Sequence, residues 1–213
     1  MNSARPIAVY GGAFDPPHLG HAEVIRQLSN LEQIESIVVM PSRRPPHKTP
    51  VVSYGHRVAM CELMLNAYGD SKASIFREDS VKGTTFTADV VQTLPGWGEQ
   101  HYLLVIGIEE VAALGSWKTP ERIFEHAGLI VIQRPGFAEF NRQRAADSLD
   151  VTPIVKERIL SALSITVDVR FTMSSTGVRE EFLRDKEYAQ YFVPPDVRAY
   201  IRQHGLYERI AHE

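Results

Sequence analysis

The residues best placed to do chemistry lie in Gly11-Gly12-Ala13-Phe14-Asp15-Pro16-Pro17-His18-Leu19-Gly20-His21, directly after the apolar run Ile7-Ala8-Val9-Tyr10. Paired glycines at a strand end let a ligand approach the backbone and expose its amide hydrogens. His18 and His21 are three residues apart, so they are neighbours on one side of a helix that starts there. Imidazoles beside the unpaired amides and the positive dipole end of a helix make an anion site suited to a polyphosphate. Each part also has an ordinary explanation. The glycines, which lack the full G-x-G-x-x-G spacing and the lysine of a P-loop, can be a plain turn. His21 shares a face with Val24, Ile25 and Leu28 and can be a core histidine.

A second constellation is Met173-Ser174-Ser175-Thr176-Gly177-Val178-Arg179, ahead of a helical pattern with Val178, Phe182 and Leu183. Hydroxyl residues at a helix start are common caps. The arginine a turn further on adds a fixed positive charge to a second amide-rich helix N-terminus.

Positioning such groups requires strands that end where the glycines lie. Short β-rich runs recur at Ile7 to Tyr10, Ser36 to Met40, Ala73 to Phe76, His101 to Ile106, Leu129 to Ile132 and Ile165 to Val167. Most lack polar alternation, as expected of strands buried on both faces of a parallel sheet. Between them lie helical stripes: Val24, Ile25 and Leu28, then Val58, Cys61, Leu65 and Tyr68, then Val197, Tyr200, Ile201 and His204. Strand then helix, repeated, predicts an α/β, Rossmann-like, doubly wound sheet, mainly parallel, with C-terminal helices. The loop Pro41 to Pro50, carrying Arg43, Arg44, His47 and Lys48, follows a strand and so falls at the carboxyl edge, where open α/β sheets bind ligands. Gly136 to Asp150 reads as a connection with a polar helix. Pro194-Pro195-Asp196 and Gly205 bracket a terminal helix.

With 213 residues, 44% hydrophobic and 23% charged, the chain can bury a real core and is too apolar for disorder. No linker divides it, so residues 1–213 read as one domain, the helical part from about 174 packing on the rest. The longest apolar run, Tyr102 to Ile108, is strand-sized, far below the roughly 18 residues of a membrane span. Ile7 to Tyr10 is too short for a signal-peptide core, so a cytoplasmic protein is expected. Cys61 is the single cysteine, which excludes an internal disulfide and multi-cysteine metal sites, and its apolar stripe makes it a buried small hydrophobe. A net charge of −3 argues against a nucleic-acid partner in bulk but not against a small phosphorylated ligand.

The first string resembles the Gly-Gly-x-Phe-Asp-Pro-x-His-x-Gly-His segment of the nucleotidyltransferase superfamily, adenylyl- and cytidylyltransferases that share H-x-G-H with class I aminoacyl-tRNA synthetases. The second is similar to that superfamily's S-S-T-x-[IV]-R motif, which lies across the nucleotide and holds its β- and γ-phosphates. In sequence order, Pro45-Pro46-His47-Lys48, Gly83-Thr84-Thr85-Phe86-Thr87-Ala88-Asp89, Ile106-Gly107, Leu114-Gly115-Ser116-Trp117-Lys118, Arg134-Pro135-Gly136 and Tyr191-Phe192-Val193-Pro194 to Leu206-Tyr207 resemble segments of the bacterial nicotinate-nucleotide adenylyltransferase family.

That resemblance implies adenylyl transfer from ATP, with Mg²⁺ on the triphosphate, to nicotinate mononucleotide. Gly11, Gly12 and Phe14 would shape the floor under ATP, and Gly107 would let its adenosine or a ribose approach. His18, His21 and Arg179 would act in catalysis on the phosphates, Ser174, Ser175, Thr176 and Arg179 would close the triphosphate site, and Lys48 would reach phosphate. Thr87 and the backbone at Lys118 would receive the pyridine carboxylate, with Trp117 stacked on the ring and Arg134 on the mononucleotide side. Trp117 read without the resemblance can be a core aromatic, Arg134 a strand-end charge, Lys48 a solvated loop residue and Thr87 a helix cap. The family places Thr or Ser where this chain has Ala13, and favours Asp where it has Glu109. Other readings of the same residues are an acceptor such as nicotinamide mononucleotide or phosphopantetheine, a catalytically silent nucleotide-binding regulator, or a synthetase fragment. A homo-oligomer is compatible with all of them.

Overall fold

The computed structural model describes residues 5–46, 48–68, 71–78, 86–134, 139–167, 173–184 and 190–207. His47, Gly83 to Thr85, and Pro135 with Gly136, which carry part of the family resemblance, lie outside the described residues. Six strands, β1 (Ile7–Gly12), β2 (Ser36–Pro41), β3 (Ala73–Ile75), β4 (Tyr102–Gly107), β5 (Ala127–Gln133) and β6 (Leu163–Thr166), pair in parallel in the order β3-β2-β1-β4-β5-β6. All six predicted runs are strands, and every described pairing is parallel.

Period-two alternation within the four inner strands β1, β2, β4 and β5 feeds two separate cores. Ala8, Tyr10, Ile37, Val39, Leu103, Val105, Ile130, Ile132 and Ile165 face one side. There they meet α1 (Leu19–Ser29), α2 (Tyr54–Tyr68), α8 (Ser175–Arg184) and α9 (Pro195–Gln203), through Ile25, Leu28, Cys61, Met64, Val178, Phe182, Val197 and Ile201. Val9, Met40, Tyr102, Leu104, Ile106, Leu129 and Val131 face the other side. That side is covered by the short helices α3 (Thr87–Val90), α4 (Ile108–Ala112) and α5 (Glu121–Phe124), with α6 (Arg142–Ser148) and α7 (Pro153–Leu160). Full burial of each such aliphatic side chain is worth about 1.5–3 kcal/mol, which is why the four inner strands show no polar face, whereas the edge strands β3 and β6 expose Ser74, Ser164 and Thr166.

Cys61 is buried in the first core, as its stripe predicts. Three residues, Tyr68, Leu183 and His204, leave their predicted stripes. Tyr68, at the end of α2, is 44% exposed and Leu183 is 46% exposed, because each lies at the last turn of its helix, beyond the sheet's cover. In α9, Val197 and Ile201 are buried while His204 is exposed, so the apolar face is narrower than the sequence suggests. Pro195 opens α9 and Gly205, at φ +58°, stops it; this turn sends Tyr207 back into the core.

Candidate active site

β1 sends the chain to β2 and β3 on one side, and the chain then returns to pair β4 against the opposite edge of β1. The carboxyl ends of β1 and β4 therefore flank the point where the strand order reverses, the crevice in which such sheets bind ligands. Gly11 and Gly12 end β1, Gly107 ends β4, and Arg134 follows β5. The residues between β1 and α1 form the floor of that crevice.

His18 is the N-cap of α1, and His21 is its third residue. The Gly20 N–H donates to His18 Nδ1 at 3.1 Å, and the His18 N–H donates to His21 Nδ1 at 3.1 Å. Two of the helix's orphan donors are thus satisfied by imidazoles rather than by the usual Ser or Asp. Because Nδ1 accepts on both rings, a neutral ring carries its proton on Nε2. Burial holds both rings neutral: it pushes the His18 imidazole down to about 3, with the Arg134 charge adding to the effect. Burial, then His18, Arg134 and Lys48, push His21 down as well. The rings lie 3.7 Å apart, and Phe14, itself buried, packs against His21 at 4.8 Å. Phe14 therefore braces His21. Its ring folds back over Gly12, where an added Cβ would lie 3.1 Å from it, so any larger residue there would have to push the Phe14 ring aside.

The second constellation is brought against the first. Ser174 accepts the Gly177 N–H at 3.1 Å, the ordinary capping role. Ser175 Oγ donates to the Pro16 carbonyl at 3.0 Å, and Arg179 Nη1 donates to the Asp15 carbonyl at 2.6 Å, with Nη2 reaching Thr176 Oγ1 at 3.1 Å. Arg179 thus ties the two strings together, and a guanidinium with five N–H donors keeps others for a ligand.

Across the crevice, Arg134 Nη1 pairs with Glu109 Oε1 at 3.2 Å, while Glu109 Oε2 is buried with no hydrogen-bond partner among the described residues. The carboxylate folds over Gly107, whose added Cβ would lie 2.7 Å from Oε2. Further along that face, Lys118 Nζ pairs with Asp89 Oδ2 at 2.9 Å and sits over the Phe86 ring at 4.7 Å. The segment holding Trp117 and Lys118 is thereby fastened to α3, which begins at Thr87. Phe86 occupies the N-cap of α3 and Trp117 is half-buried against the second core. Lys48 is exposed, and its charge is felt at His21.

Residues 9–181 match the model of the cytidylyltransferase-like family. The chain belongs to that family. It is 31% identical to a "probable nicotinate-nucleotide adenylyltransferase" of Chromohalobacter salexigens, over 96% of this chain and 97% of that one. A relative of the same name from Oceanobacillus iheyensis is 29% identical over 95% of this chain and 97% of its own. Among solved structures, the Plasmodium falciparum nicotinic acid mononucleotide adenylyltransferase complexed with NaAD matches with a TM-score of 0.74 at 23% identity, covering 95% of this chain and 97% of that one. This cytidylyltransferase-like chain shares its fold with that enzyme.

Three site features escaped the sequence reading. Arg57, 1% exposed, donates to the Ala13 and Ser42 carbonyls at 2.7 and 2.6 Å and to that of Arg43 at 3.2 Å, joining the glycine turn to the loop after β2. Its only sequence signal was a charge between buried neighbours on α2. Asp15 is buried and bonded from three other segments. Glu109 is held by Arg134, a pairing that no spacing reveals.

Proposed function

We propose that this protein transfers the adenylyl group of ATP to nicotinate mononucleotide, releasing pyrophosphate and forming nicotinate adenine dinucleotide. The observation that carries this reading is the pair of neutral imidazoles at the α1 N-terminus, each with Nδ1 filled by a backbone N–H and Nε2 left as a donor.

A phosphate oxygen of the mononucleotide attacks the α-phosphorus of ATP. The new P–O bond forms as the bond to the β-phosphate bridging oxygen breaks, and the electron pair leaves with pyrophosphate. The attacking phosphate is already anionic, so no side-chain nucleophile or strong base is needed. Catalysis reduces to orienting the two phosphates in line and to stabilising charge on the transferring group. His18 and His21 would donate Nε2–H to phosphate oxygens from a buried, fixed position, where such bonds cost no reorganisation at the moment of reaction. Gly11, Gly12 and Gly107 would admit the nucleotide close to the backbone, Ser174, Ser175, Thr176 and Arg179 would gather its outer phosphates, and Lys48 would reach the phosphate of the mononucleotide.

Mg²⁺ would enter on those phosphates and supply charge neutralisation there. Among the described residues no group of three His, Cys, Asp or Glu could hold a metal. On the mononucleotide side, Thr87, Trp117 and the backbone at Lys118 would hold the pyridine carboxylate, and Arg134 the phosphate or ribose.

The direct test follows pyrophosphate release from Mg-ATP with nicotinate mononucleotide, nicotinamide mononucleotide and phosphopantetheine as separate acceptors. Release with the nicotinate acceptor above all is the expected result. Release with none of the three overturns the enzyme reading, and preference for the amide overturns the carboxylate site.

A further inference from the structure

Asp15 is 3% exposed, yet three groups from distant parts of the chain converge on it. Tyr207 Oη donates to its Oδ1 at 2.7 Å across 192 positions of sequence, and the Val51 N–H donates to its Oδ2 at 2.7 Å. Arg179 Nη1 donates to its carbonyl at 2.6 Å and stands 3.8 Å from Oδ2. A buried carboxylate so surrounded is held at both oxygens. Burial, followed by the bond to Asp15, pushes the Tyr207 phenol up, so it remains a donor at any working pH.

Between Asp15 and the N-cap His18 stand only Pro16 and Pro17, which lack N–H groups and have fixed φ angles. This is a short, stiff strut. A displacement at Asp15 reaches His18 with little slack, and His18 in turn sets His21 through the shared capping bonds. The groups assigned to the pyridine ring, Thr87, Trp117 and Lys118, sit on the opposite core of the sheet and make no described contact with Asp15 or Tyr207.

We propose that Asp15 and Tyr207 are a positioning pair: the returning C-terminal turn, by bonding the Asp15 carboxylate, fixes the orientation of the two α1 imidazoles. The inference rests on the adenylyl-transfer reading for its kinetic consequence, but its structural consequence can be read without turnover.

The experiment compares the full-length wild type with Tyr207→Phe, Tyr207→Ala and Asp15→Asn. Tyr207→Phe keeps the ring stacked on Phe182, whose centroid is 6.4 Å away, and removes only the hydroxyl. Loss of one bond to a buried charge predicts a kcat lower by roughly ten- to a hundredfold, with KM for the mononucleotide changed less than about twofold. The imidazole ¹⁵N signals of His18 and His21, recorded without substrate, should show the Nε2–H tautomer in the wild type and a mixture in Tyr207→Phe and Asp15→Asn. Thermal melting of each variant separates this from unfolding. A Tyr207→Phe protein with wild-type kcat and a wild-type ¹⁵N pattern overturns the proposal, as does a loss confined to Tyr207→Ala, which would make Tyr207 a packing residue. If the wild type proves inactive with every acceptor, the functional reading fails while the ¹⁵N comparison still decides the positioning role.

Discussion

His18 and His21 cap the same helix end by exchanging roles: the backbone of His18 donates to the ring of His21, while the ring of His18 accepts from Gly20. Removing one ring therefore does two things. It deletes an Nε2–H donor from the crevice and frees a backbone donor at the start of α1.

His18→Ala should lower kcat by roughly ten- to a hundredfold, the equivalent of a hydrogen bond to a charged group, and move KM for the mononucleotide far less. Steady-state kinetics with both substrates varied checks the split. Wild-type kcat in the variant would remove His18 from the chemistry.

The same burial makes the histidines a source of acid sensitivity. In the unfolded chain an imidazole takes up its proton near pH 6.5, whereas folded His18 resists to about 3. The unfolded state thus binds more protons throughout that window. Stability is complete above about pH 6.5 and declines as pH falls toward 3, by up to about 1.4 kcal/mol per pH unit for each such histidine. Urea melts at pH 7.5 and 5.5 should differ by about 1 kcal/mol more in the wild type than in His18→Gln. Equal pH dependence in the two proteins would show that His18 is not held neutral.

How much of this was legible in the sequence depends on how local the cause is. The six strands were, because burial on both faces writes an apolar run into each inner strand, and β3 and β6, one-faced at the sheet's edges, keep the alternation of apolar and polar residues. The histidine pair was, because a helix start is encoded within a few residues. The short helices α3, α4 and α5 left little periodicity to read at four or five residues each. Arg57 was not singled out, since nothing nearby in sequence shows that it faces three backbone carbonyls. The Tyr207 bond to Asp15 and the Arg134 pairing with Glu109 join residues that only the finished sheet brings together.

Arg57 carries a prediction of its own. With its guanidinium removed in Arg57→Met, three part-buried bonds to the carbonyls of Ala13, Ser42 and Arg43 are lost, and a bond from a charged donor is worth about 1.5–3 kcal/mol. Partial relaxation leaves an expected loss of about 2–4 kcal/mol in a urea melt, with Arg57→Lys falling between variant and wild type because a single ammonium cannot span three acceptors. A loss under about 1 kcal/mol would mean that the loop after β2 is held by something else.

Choice of acceptor should depend on Thr87 and not on the Lys118 ammonium. That ammonium is engaged by Asp89 and the Phe86 ring, so of the groups assigned to the acceptor the hydroxyl of Thr87 and the backbone at Lys118 would be the ones to meet a pyridine carboxylate. The Lys118–Asp89 pair is about half exposed on one side and a third on the other, so Lys118→Met should cost well under about 1 kcal/mol of stability. It should leave the ratio of kcat/KM for nicotinate over nicotinamide mononucleotide nearly unchanged. Thr87→Val, which keeps shape but removes the hydroxyl, should lower that ratio roughly tenfold or more, the worth of a bond to a charged group. The reverse outcome, with Lys118→Met erasing the preference and Thr87→Val sparing it, would mean that the ammonium leaves Asp89 when the acceptor binds and that charge, rather than a fixed hydroxyl, selects the acid.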